Sequence, residues 1–347
     1  MSRHEKTLTE FIIEEQRRSP GATGALTSLL NGIRLSCKRI AWLVGEGSRA
    51  TARDGEALDL AANDIFLRAL EWGGSLAGMA SKAMAEPHEI PAAYPVGRYL
   101  LVFDPLDGFR DVEVNVSVGS LFSVLRAPEG VARPTVADFL QPGTQQVAAG
   151  YGIYGPTTML VLTVGRGVHG FTLNRGFGEF VLTHPALTIP ESTREFAVDT
   201  SNARFWEAPV QRYVDECVKG QTGPRGEDFD MHWVASLVVE VHRILVRGGL
   251  LMVPAETREG TRSGRLHLLF EANPVAMLVE QAGGAASTGR GRVLEVAPRA
   301  LNQRVPVILG SRNEVERLGL YHRELDEGIE PFSSPLFNER SLFPPPR

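Results

Sequence analysis

The stretch that decides the fold of this chain runs from Tyr99 to Arg126 and reads YLLVFDPLDGFRDVEVNVSVGSLFSVLR. Its first five residues are apolar and have the length of a buried strand. This strand ends at Asp104, and a proline, a second aspartate and a glycine follow at once. The sequence therefore predicts a strand that delivers two carboxylates to a turn.

The turn chemistry points to a cation site. Pro105 fixes its own φ and favours an extended Asp104, while Gly108 lets the chain turn where a side chain would obstruct it. Asp104 and Asp107 can then point into one small volume, with the carbonyl of Leu106 between them. Oxygen ligands at this spacing suit a hard divalent cation such as Mg²⁺. Taken alone, the motif is equally consistent with a β-turn whose aspartates cap the following element.

Composition bounds the class of protein. A chain of 347 residues with 43% hydrophobic and 22% charged residues is typical of a soluble protein with two packed domains. A net charge of −5 without a long basic run argues against a nucleic-acid partner. Two cysteines suit a reducing compartment. Since neither a signal peptide nor a membrane-spanning run is visible, we expect a cytoplasmic protein without a membrane partner.

The periodicity of apolar residues predicts helices and a sheet. Helical spacing appears at Leu8 to Glu15, Leu26 to Val44 and Leu58 to Leu70, and again at Asn273 to Gln281 before two glycines. From residue 138 to residue 190, short β-branched and aromatic runs alternate with glycine turns. These patterns support alternating helices and sheets.

Further sequence blocks extend the opening stretch and occur in a fixed order. They lie at residues 138–162, 167–174, 241–249, 270–284 and 301–311. Together these blocks closely resemble the class 1 fructose-1,6-bisphosphatases, a family of the Mg²⁺-dependent, lithium-sensitive phosphatase superfamily. The resemblance covers nearly the whole chain.

The resemblance implies an α/β fold of five layers in the order αβαβα. It implies a regulatory and metal-binding domain over residues 1–187 and a sugar-phosphate domain over residues 188–335. The proline-rich composition after residue 330 predicts a disordered tail over residues 336–347. The resemblance also implies assembly as a homotetramer, or as a mixed oligomer with a related subunit. The implied reaction is Mg²⁺-dependent removal of the 1-phosphate of fructose 1,6-bisphosphate, in gluconeogenesis or in the Calvin cycle.

The resemblance also assigns roles to individual residues. Asp64 and Asp107 match catalytic positions. The implied metal ligands are Asp104, Leu106, Asp107 and Glu271. The implied substrate-binding residues are Asp107, Gly108, Arg110, Asp199 and Arg265. Without the family, Glu271 is equally an acid placed at a helix N-terminus by the helix dipole.

An allosteric site for AMP is implied near the start of the second helix. The matching positions are Thr23, Gly24, Thr27, Arg98, Tyr99 and Arg126. A helix N-terminus attracts anions through its free N–H groups. Without the family, the two threonines favour a plain helix N-cap instead.

Several positions depart from the family pattern. The family has two consecutive glutamates where this chain has Lys82 and Ala83, and an ammonium cannot ligate Mg²⁺. The other departures are Phe109, Asp111, Asp199, His232 and Val253, which replace serine, asparagine, asparagine, arginine and tyrosine. Most of these changes remove groups that attract phosphate.

Three hypotheses follow. The first is a working fructose-1,6-bisphosphatase, which family placement favours. The second is a catalytically impaired paralogue that acts as a regulatory or assembly subunit, which the departures favour. The third is a phosphatase with a different sugar-phosphate substrate, read by Lys82 and Arg110. We take the family function as the leading hypothesis and the impaired paralogue as the alternative.

Overall fold

The computed structural model of the chain describes residues 5–18, 23–46, 55–131 and 133–329. The expected disordered tail, residues 336–347, lies outside the described residues. None of the described helices is long and apolar enough to cross a membrane.

An eight-stranded sheet forms the first half of the chain. Its strands are β1 (Leu76–Ser81), β2 (His88–Glu89), β3 (Tyr99–Asp107), β4 (Val118–Arg126), β5 (Ala148–Tyr154), β6 (Thr158–Thr163), β7 (Val168–Asn174) and β8 (Glu179–Leu187). They are ordered β2-β1-β3-β4-β5-β6-β7-β8. Only the β1–β3 pair is parallel within this sheet. The central strands are buried on both faces, so both faces must be covered by other elements.

Three helices cover one face of this sheet: α1 (Leu8–Arg17), α2 (Ala25–Gly45) and α3 (Gly55–Leu70). Thr7 and Glu10 form a capping box that starts α1. Apolar residues of α2 and α3 recur at helical spacing and pack with the sheet side chains Phe103 and Phe122 in one buried cluster. A short helix, α4 (Val136–Phe139), follows β4.

A second sheet of five strands forms the other half. Its strands are β9 (Glu195–Val198), β10 (Asp230–Met231), β11 (Leu250–Val253), β13 (Ala285–Ser287) and β15 (Val307–Gly310), ordered β10-β9-β11-β15-β13. A separate pair consists of β12 (Leu266–His267) and β14 (Arg304–Val305).

The remaining helices complete the layers. They are α5 (Ala208–Lys219), α6 (Leu237–Arg247), α7 (Asn273–Gln281) and α8 (Arg312–Asp326). Residues of α6 and α7 share one core with both sheets, which places these helices between the sheets. Residues of α5 and α8 pack on the second sheet in another core. The order of layers is therefore αβαβα, which confirms the predicted fold class.

One local prediction is wrong. The sequence predicts that the strand ends at Asp104, but β3 continues to Asp107. The pairing of β3 with β4 is irregular between Asp104 and Asp107, because Asp104 pairs with Leu121 while Asp107 pairs with Gly119. The proline in this stretch cannot donate a ladder hydrogen bond, so the strand bulges there instead of stopping.

Candidate active site

Asp104 and Asp107 project from the bulged end of β3 into one buried volume. The neighbouring strand β4 stabilises the bulge, because the hydroxyl of Ser120 on β4 donates a 2.6 Å hydrogen bond to the carbonyl of Pro105. The same hydroxyl lies 2.9 Å from the hydroxyl of Tyr154. Buried hydrogen bonds of this kind fix the backbone between the two acids and so fix the direction of both side chains.

Asp107 is bound by the start of α6. Its Oδ2 accepts hydrogen bonds of 3.0 Å from the Ser236 hydroxyl and 3.0 Å from the Val238 backbone N–H. The first N–H groups of a helix lack intrahelical partners and favour an anion. This contact joins the first sheet to the second half of the chain at the site.

Glu271 comes from a single π-helical turn, Leu268–Ala272, that precedes α7. Its Oε2 accepts a 2.6 Å hydrogen bond from the His267 backbone N–H and lies 2.9 Å from His267 Nδ1. An oxygen of Glu271 lies within 4.8 Å of oxygens of Asp104 and Asp107. The structure thus brings together the three acids that the sequence assigned to metal binding. We call these residues, Asp104, Asp107 and Glu271, the acidic cluster.

Lys82 supplies a cation to the acidic cluster. Its Nζ lies 2.7 Å from Asp104 Oδ2 and 2.9 Å from Glu271 Oε1. Burial opposes the charge on this ammonium, but the attraction of Asp104, Glu271 and Asp107 prevails and raises the pKa of Lys82 above its usual value. The ammonium is therefore charged and bridges two of the three acids.

The acidic cluster needs such a cation. Burial raises the pKa of Asp104 and of Asp107, and the attraction of Lys82 opposes that shift. The donor chemistry of the three carboxylates suits a divalent metal ion. The position that such an ion would take is already used by the ammonium, since two of the carboxylates bind it directly. The residues present therefore do not fit a metal ion while Lys82 is in place.

A pocket of about 320 Å³ opens beside the acidic cluster. Asp107 and Glu271 line it, and so do Asp199, Arg265 and Val253. Arg265 Nη1 lies 3.5 Å from Asp199 Oδ2 and 3.7 Å from Glu256 Oε1. The guanidinium of Arg265, which the resemblance assigns to substrate binding, is thus already shared by two carboxylates.

Asp199 also has a structural role. It is the N-cap of a short 3₁₀ helix, Thr200–Phe205, and its Oδ1 accepts hydrogen bonds from the backbone N–H and the hydroxyl of Ser201. Its Oδ2 accepts a 2.7 Å hydrogen bond from Asn202 Nδ2. An asparagine could supply the first set of bonds equally well.

The structure places Asp64 away from the acidic cluster. Its side chain is 60% exposed and lies 3.3 Å from Arg68 on the outer face of α3. Asp59, one helical turn earlier, lies closer to the site. Burial raises the pKa of Asp59 to about 6, against the attraction of Lys82 and a hydrogen bond from the Leu106 backbone N–H. One carboxylate oxygen of Asp59 is buried without a hydrogen-bond partner among the described residues.

Sequence reasoning missed Asp59, although a signal was present. Asp59 and Asn63 are spaced i, i+4 on α3, so they share one face of the helix. The fully buried apolar residues Leu58, Ala62 and Phe66 mark the neighbouring stripe of α3. A helical projection therefore puts Asp59 at the edge of the core and Asp64 in solvent.

A second pocket, of about 390 Å³, lies between α1, α2 and the first sheet. It is lined by all six residues that the sequence assigned to an allosteric site: Thr23, Gly24, Thr27, Arg98, Tyr99 and Arg126. The pocket includes the start of α2, where Gly24 adopts a φ of 80°. The Arg126 guanidinium lies 5.9 Å from the centre of the Tyr99 ring. The pocket offers a helix N-terminus, arginines and a tyrosine.

Comparison with known proteins identifies the family. The fructose-1,6-bisphosphatase N-terminal domain model matches residues 6–185, and the corresponding C-terminal domain model matches residues 189–323. The chain belongs to the fructose-1,6-bisphosphatase family. It is 59% identical to a class 1 fructose-1,6-bisphosphatase of Hydrogenophilus thermoluteolus, over 98% of both chains. It is 52% identical to one of Methylibium petroleiphilum, over 97% of both chains.

Solved structures agree with this family placement. The holo form of Leishmania major fructose-1,6-bisphosphatase superposes with a TM-score of 0.84 at 35% identity, over 91% of this chain and 99% of that one. The apo form gives the same TM-score and identity over 92% of this chain. The predicted family membership and fold are confirmed. A family of this kind implies a divalent metal, and the acidic cluster has the matching acids.

Against this family background, the altered residues after β3 are distributed around the site rather than in it. Phe109 is half-buried against the helical layer, and the exposed Arg110 lies 5.6 Å from its ring. Neither residue lines the described part of the 320 Å³ pocket, and Gly108 and Asp111 are also outside its lining. Gly108 instead packs against Ser236.

Two of the altered residues elsewhere, Ala83 and His232, are also outside the lining of this pocket among the described residues, whereas Asp199 and Val253 belong to it. Ala83 has no acidic group, and its backbone N–H donates a hydrogen bond to the Ser81 hydroxyl. His232 is exposed, 4.0 Å from Glu195, and is not part of the pocket lining among the described residues. Val253 does line the pocket and offers no donor there. Among the described residues that line this pocket, Arg265 is the only cation.

Proposed function

We propose that this chain acts on fructose 1,6-bisphosphate and hydrolyses its 1-phosphate to give fructose 6-phosphate and phosphate, at a rate well below that of relatives with an unaltered metal site. The observation that carries the reaction is the 59% identity to a class 1 fructose-1,6-bisphosphatase over 98% of both chains. The reduced rate is inferred from the ion pairs of Lys82 with Asp104 and Glu271. Phosphate transfer depends on cations that neutralise the reacting phosphoryl group, and an ammonium supplies one charge where a metal supplies two.

The family implies Mg²⁺ as the cofactor, and we propose that it acts in this chain only where the Lys82 ammonium has left the acidic cluster. The proposed ligands are Asp104, Asp107, Glu271 and the carbonyl of Leu106. For any metal to bind there, the Lys82 ammonium would have to leave two of these carboxylates. Asp107 is proposed as the catalytic acid, and Asp59 is better placed than Asp64 to assist it, because Asp64 is solvent-exposed.

The proposed substrate contacts are Asp107, Gly108, Arg110, Asp199 and Arg265. Of these, Asp107, Asp199 and Arg265 line the 320 Å³ pocket. Arg265 has the fork of donors that suits a phosphate. Asp199 and Glu256 compete with a phosphate for this guanidinium. We therefore expect weak binding of the distal phosphate, by which we mean the 6-phosphate of the substrate.

A second function has specific support. A catalytically impaired subunit, acting through assembly or ligand sensing, is favoured because Lys82 occupies the acidic cluster while the 390 Å³ pocket keeps all its expected residues. A changed sugar-phosphate substrate has less support, since Lys82 is engaged by acids and Arg110 lies over Phe109.

The test is phosphate release from fructose 1,6-bisphosphate by the purified chain across a Mg²⁺ titration. The Asp104→Ala variant sets the background, and the Lys82→Glu/Ala83→Glu double variant restores the family acids. We expect slow release in the wild type and a rise of at least ~100-fold in the double variant, equal to about 2.7 kcal/mol of barrier. Release no faster than Asp104→Ala in both proteins would remove the enzymatic proposal and leave the impaired subunit.

AMP and a homotetramer or mixed oligomer are the proposed regulator and assembly. The 390 Å³ pocket supports AMP through its arginines and the start of α2. Leu35 and Trp42 support assembly, because they are exposed and lie on one face of α2. Equilibrium dialysis with AMP, using Arg126→Ala as the control, and light scattering test the two proposals. The two buried free cysteines suit the cytoplasm, where we place the chain.

A further inference from the structure

Lys82 is placed by the sheet rather than by a flexible loop. It follows β1 directly, and its backbone N–H donates a 3.0 Å hydrogen bond to the carbonyl of Phe103 on the neighbouring strand β3. The next residue along β3 is Asp104, so the lysine and its first acid start from adjacent points of one sheet. The side chain needs no rearrangement to reach the acidic cluster.

The environment of the ammonium is that of a bound ion. Its two partner carboxylates are almost completely buried, with side-chain exposures of 2% for Asp104 and 6% for Glu271. Lys82 itself keeps 27% of its side-chain surface. Buried carboxylates without a cation repel one another and lose hydration, so removing this ammonium would leave an uncompensated charge in the core.

A divalent ion and this ammonium are mutually exclusive. A metal on the acidic cluster would need the carboxylates of Asp104 and Glu271, which already bind the ammonium, and it would sit about 2.1 Å from its ligand oxygens. An ammonium hydrogen-bonded to the same two carboxylates would then lie almost in contact with a double positive charge. In a buried site, the repulsion between the ammonium and a divalent metal ion at that distance would exceed the energy that the ion gains from one weakly bound carboxylate.

We propose that the Lys82 ammonium is the resident cation of the acidic cluster, holding Asp104 and Glu271 together without metal and excluding divalent ions from them. This inference deepens the proposed function by naming the cause of the slow rate, but it concerns cation binding and requires no turnover. The negative charge of the acidic cluster is then balanced by a side chain of this protein and not by a bound ion.

The experiment titrates Mn²⁺ into the purified full-length protein after treatment with EDTA, with free Mn²⁺ measured by electron paramagnetic resonance. The variants are Lys82→Met, Lys82→Arg and the control Lys6→Met. Lys6 pairs with Glu14 outside the site, so its loss tests the effect of removing any lysine. We expect Lys82→Met to bind Mn²⁺ at least ~100-fold more tightly than the wild type, Lys82→Arg and Lys6→Met.

Thermal unfolding gives a second readout. We expect the midpoint of the wild type to be the same in EDTA and in Mn²⁺, and the midpoint of Lys82→Met to fall in EDTA and recover in Mn²⁺. If Lys82→Met does not fold, the wild type still decides the question. Binding of one Mn²⁺ per wild-type chain that Asp104→Asn abolishes would overturn the proposal, as would equal affinities in Lys82→Met and Lys6→Met.

The outcomes separate this inference from the reaction. Tight Mn²⁺ binding by the wild type together with slow phosphate release overturns the resident cation and leaves the phosphatase standing. Weak binding by the wild type, tight binding by Lys82→Met and no phosphate release in any protein support the resident cation and remove the phosphatase.

Discussion

Replacing Asp199 with asparagine should strengthen binding of the sugar 6-phosphate. In the wild type, the Asp199 carboxylate lies 3.5 Å from Arg265 and adds negative charge to the position where a distal phosphate would meet that guanidinium. The substitution removes the charge and leaves an acceptor for the N-cap bond to Ser201. We expect Arg265 to be freer to bind phosphate through its fork of donors.

The expected gain in binding free energy follows from the distance between the Asp199 carboxylate and the bound phosphate and from the exposed fraction of the Asp199 side chain. Two unit charges about 5 Å apart repel by about 1 kcal/mol in water and by about 3 kcal/mol at an effective dielectric constant of about 20. The Asp199 side chain is 29% exposed, so solvent screens the repulsion and the lower half of this range applies. We therefore expect about 1.5 kcal/mol, which is about a tenfold decrease in Kd.

The assay is isothermal titration calorimetry with fructose 6-phosphate, which carries only the distal phosphate and is not turned over. Asp228→Asn is the matched control, because Asp228 also accepts a hydrogen bond from a backbone N–H, that of Gln221, and does not line the described part of the pocket. The gain in Asp199→Asn should shrink at high salt. An unchanged or larger Kd in Asp199→Asn, with Asp228→Asn equal to the wild type, would refute the assignment of this pocket to the distal phosphate.

Two further predictions concern stability near the site. Burial lowers the pKa of His242 to about 4, and its Nδ1 lies 2.8 Å from the Tyr151 hydroxyl. Because the unfolded pKa is about 6.5, the folded protein should lose about 2 kcal/mol of stability between about pH 7 and about pH 5. Urea unfolding at both pH values checks this, and a loss as large in His242→Asn would contradict it. The Gly119→Ala variant should lose about 1–3 kcal/mol, because a Cβ at Gly119 would lie 2.5 Å from the Gly152 carbonyl oxygen and 2.6 Å from Val238. Gly319→Ala on α8 meets no atom within 4 Å and serves as the control in the same unfolding assay; equal midpoints for the two variants would argue against the steric reasoning.

The parts of the site that sequence could predict are those set by local chemistry. Proline, glycine and two aspartates in five residues indicate converging oxygens, and Asp104 and Asp107 do converge, although they do so at a bulge of β3 and not at a turn. The assignment of Glu271 to metal binding followed from the family resemblance. The helices α1, α2 and α7 begin and end within a few residues of their predicted limits, because apolar periodicity is strong in each.

The parts that sequence could not predict depend on distant partners. The sequence indicates that Lys82 cannot ligate a metal. Its two ion pairs could not be predicted, because the partners lie 22 and 189 residues away along the chain and no local pattern reports them. Phe109 was interpreted only as the loss of a serine that attracts phosphate, and its partial packing against the helical core could not be predicted. Asp64 was assigned from the family resemblance, whereas the helix face leaves Asp64 exposed and Asp59 half-buried.

The way in which the acidic cluster is built has a consequence for the order of folding. Lys82 directly follows β1 and Asp104 lies on the adjacent strand β3, so we expect their ion pair to form as soon as β1 and β3 meet. Glu271 and the start of α6 arrive only when the second half of the chain has been made and has docked. We therefore expect a growing chain to neutralise Asp104 early, so that Glu271, which arrives later, meets the positive charge of Lys82. Docking of the two halves would then be favoured by this attraction, without any ion being captured from solution.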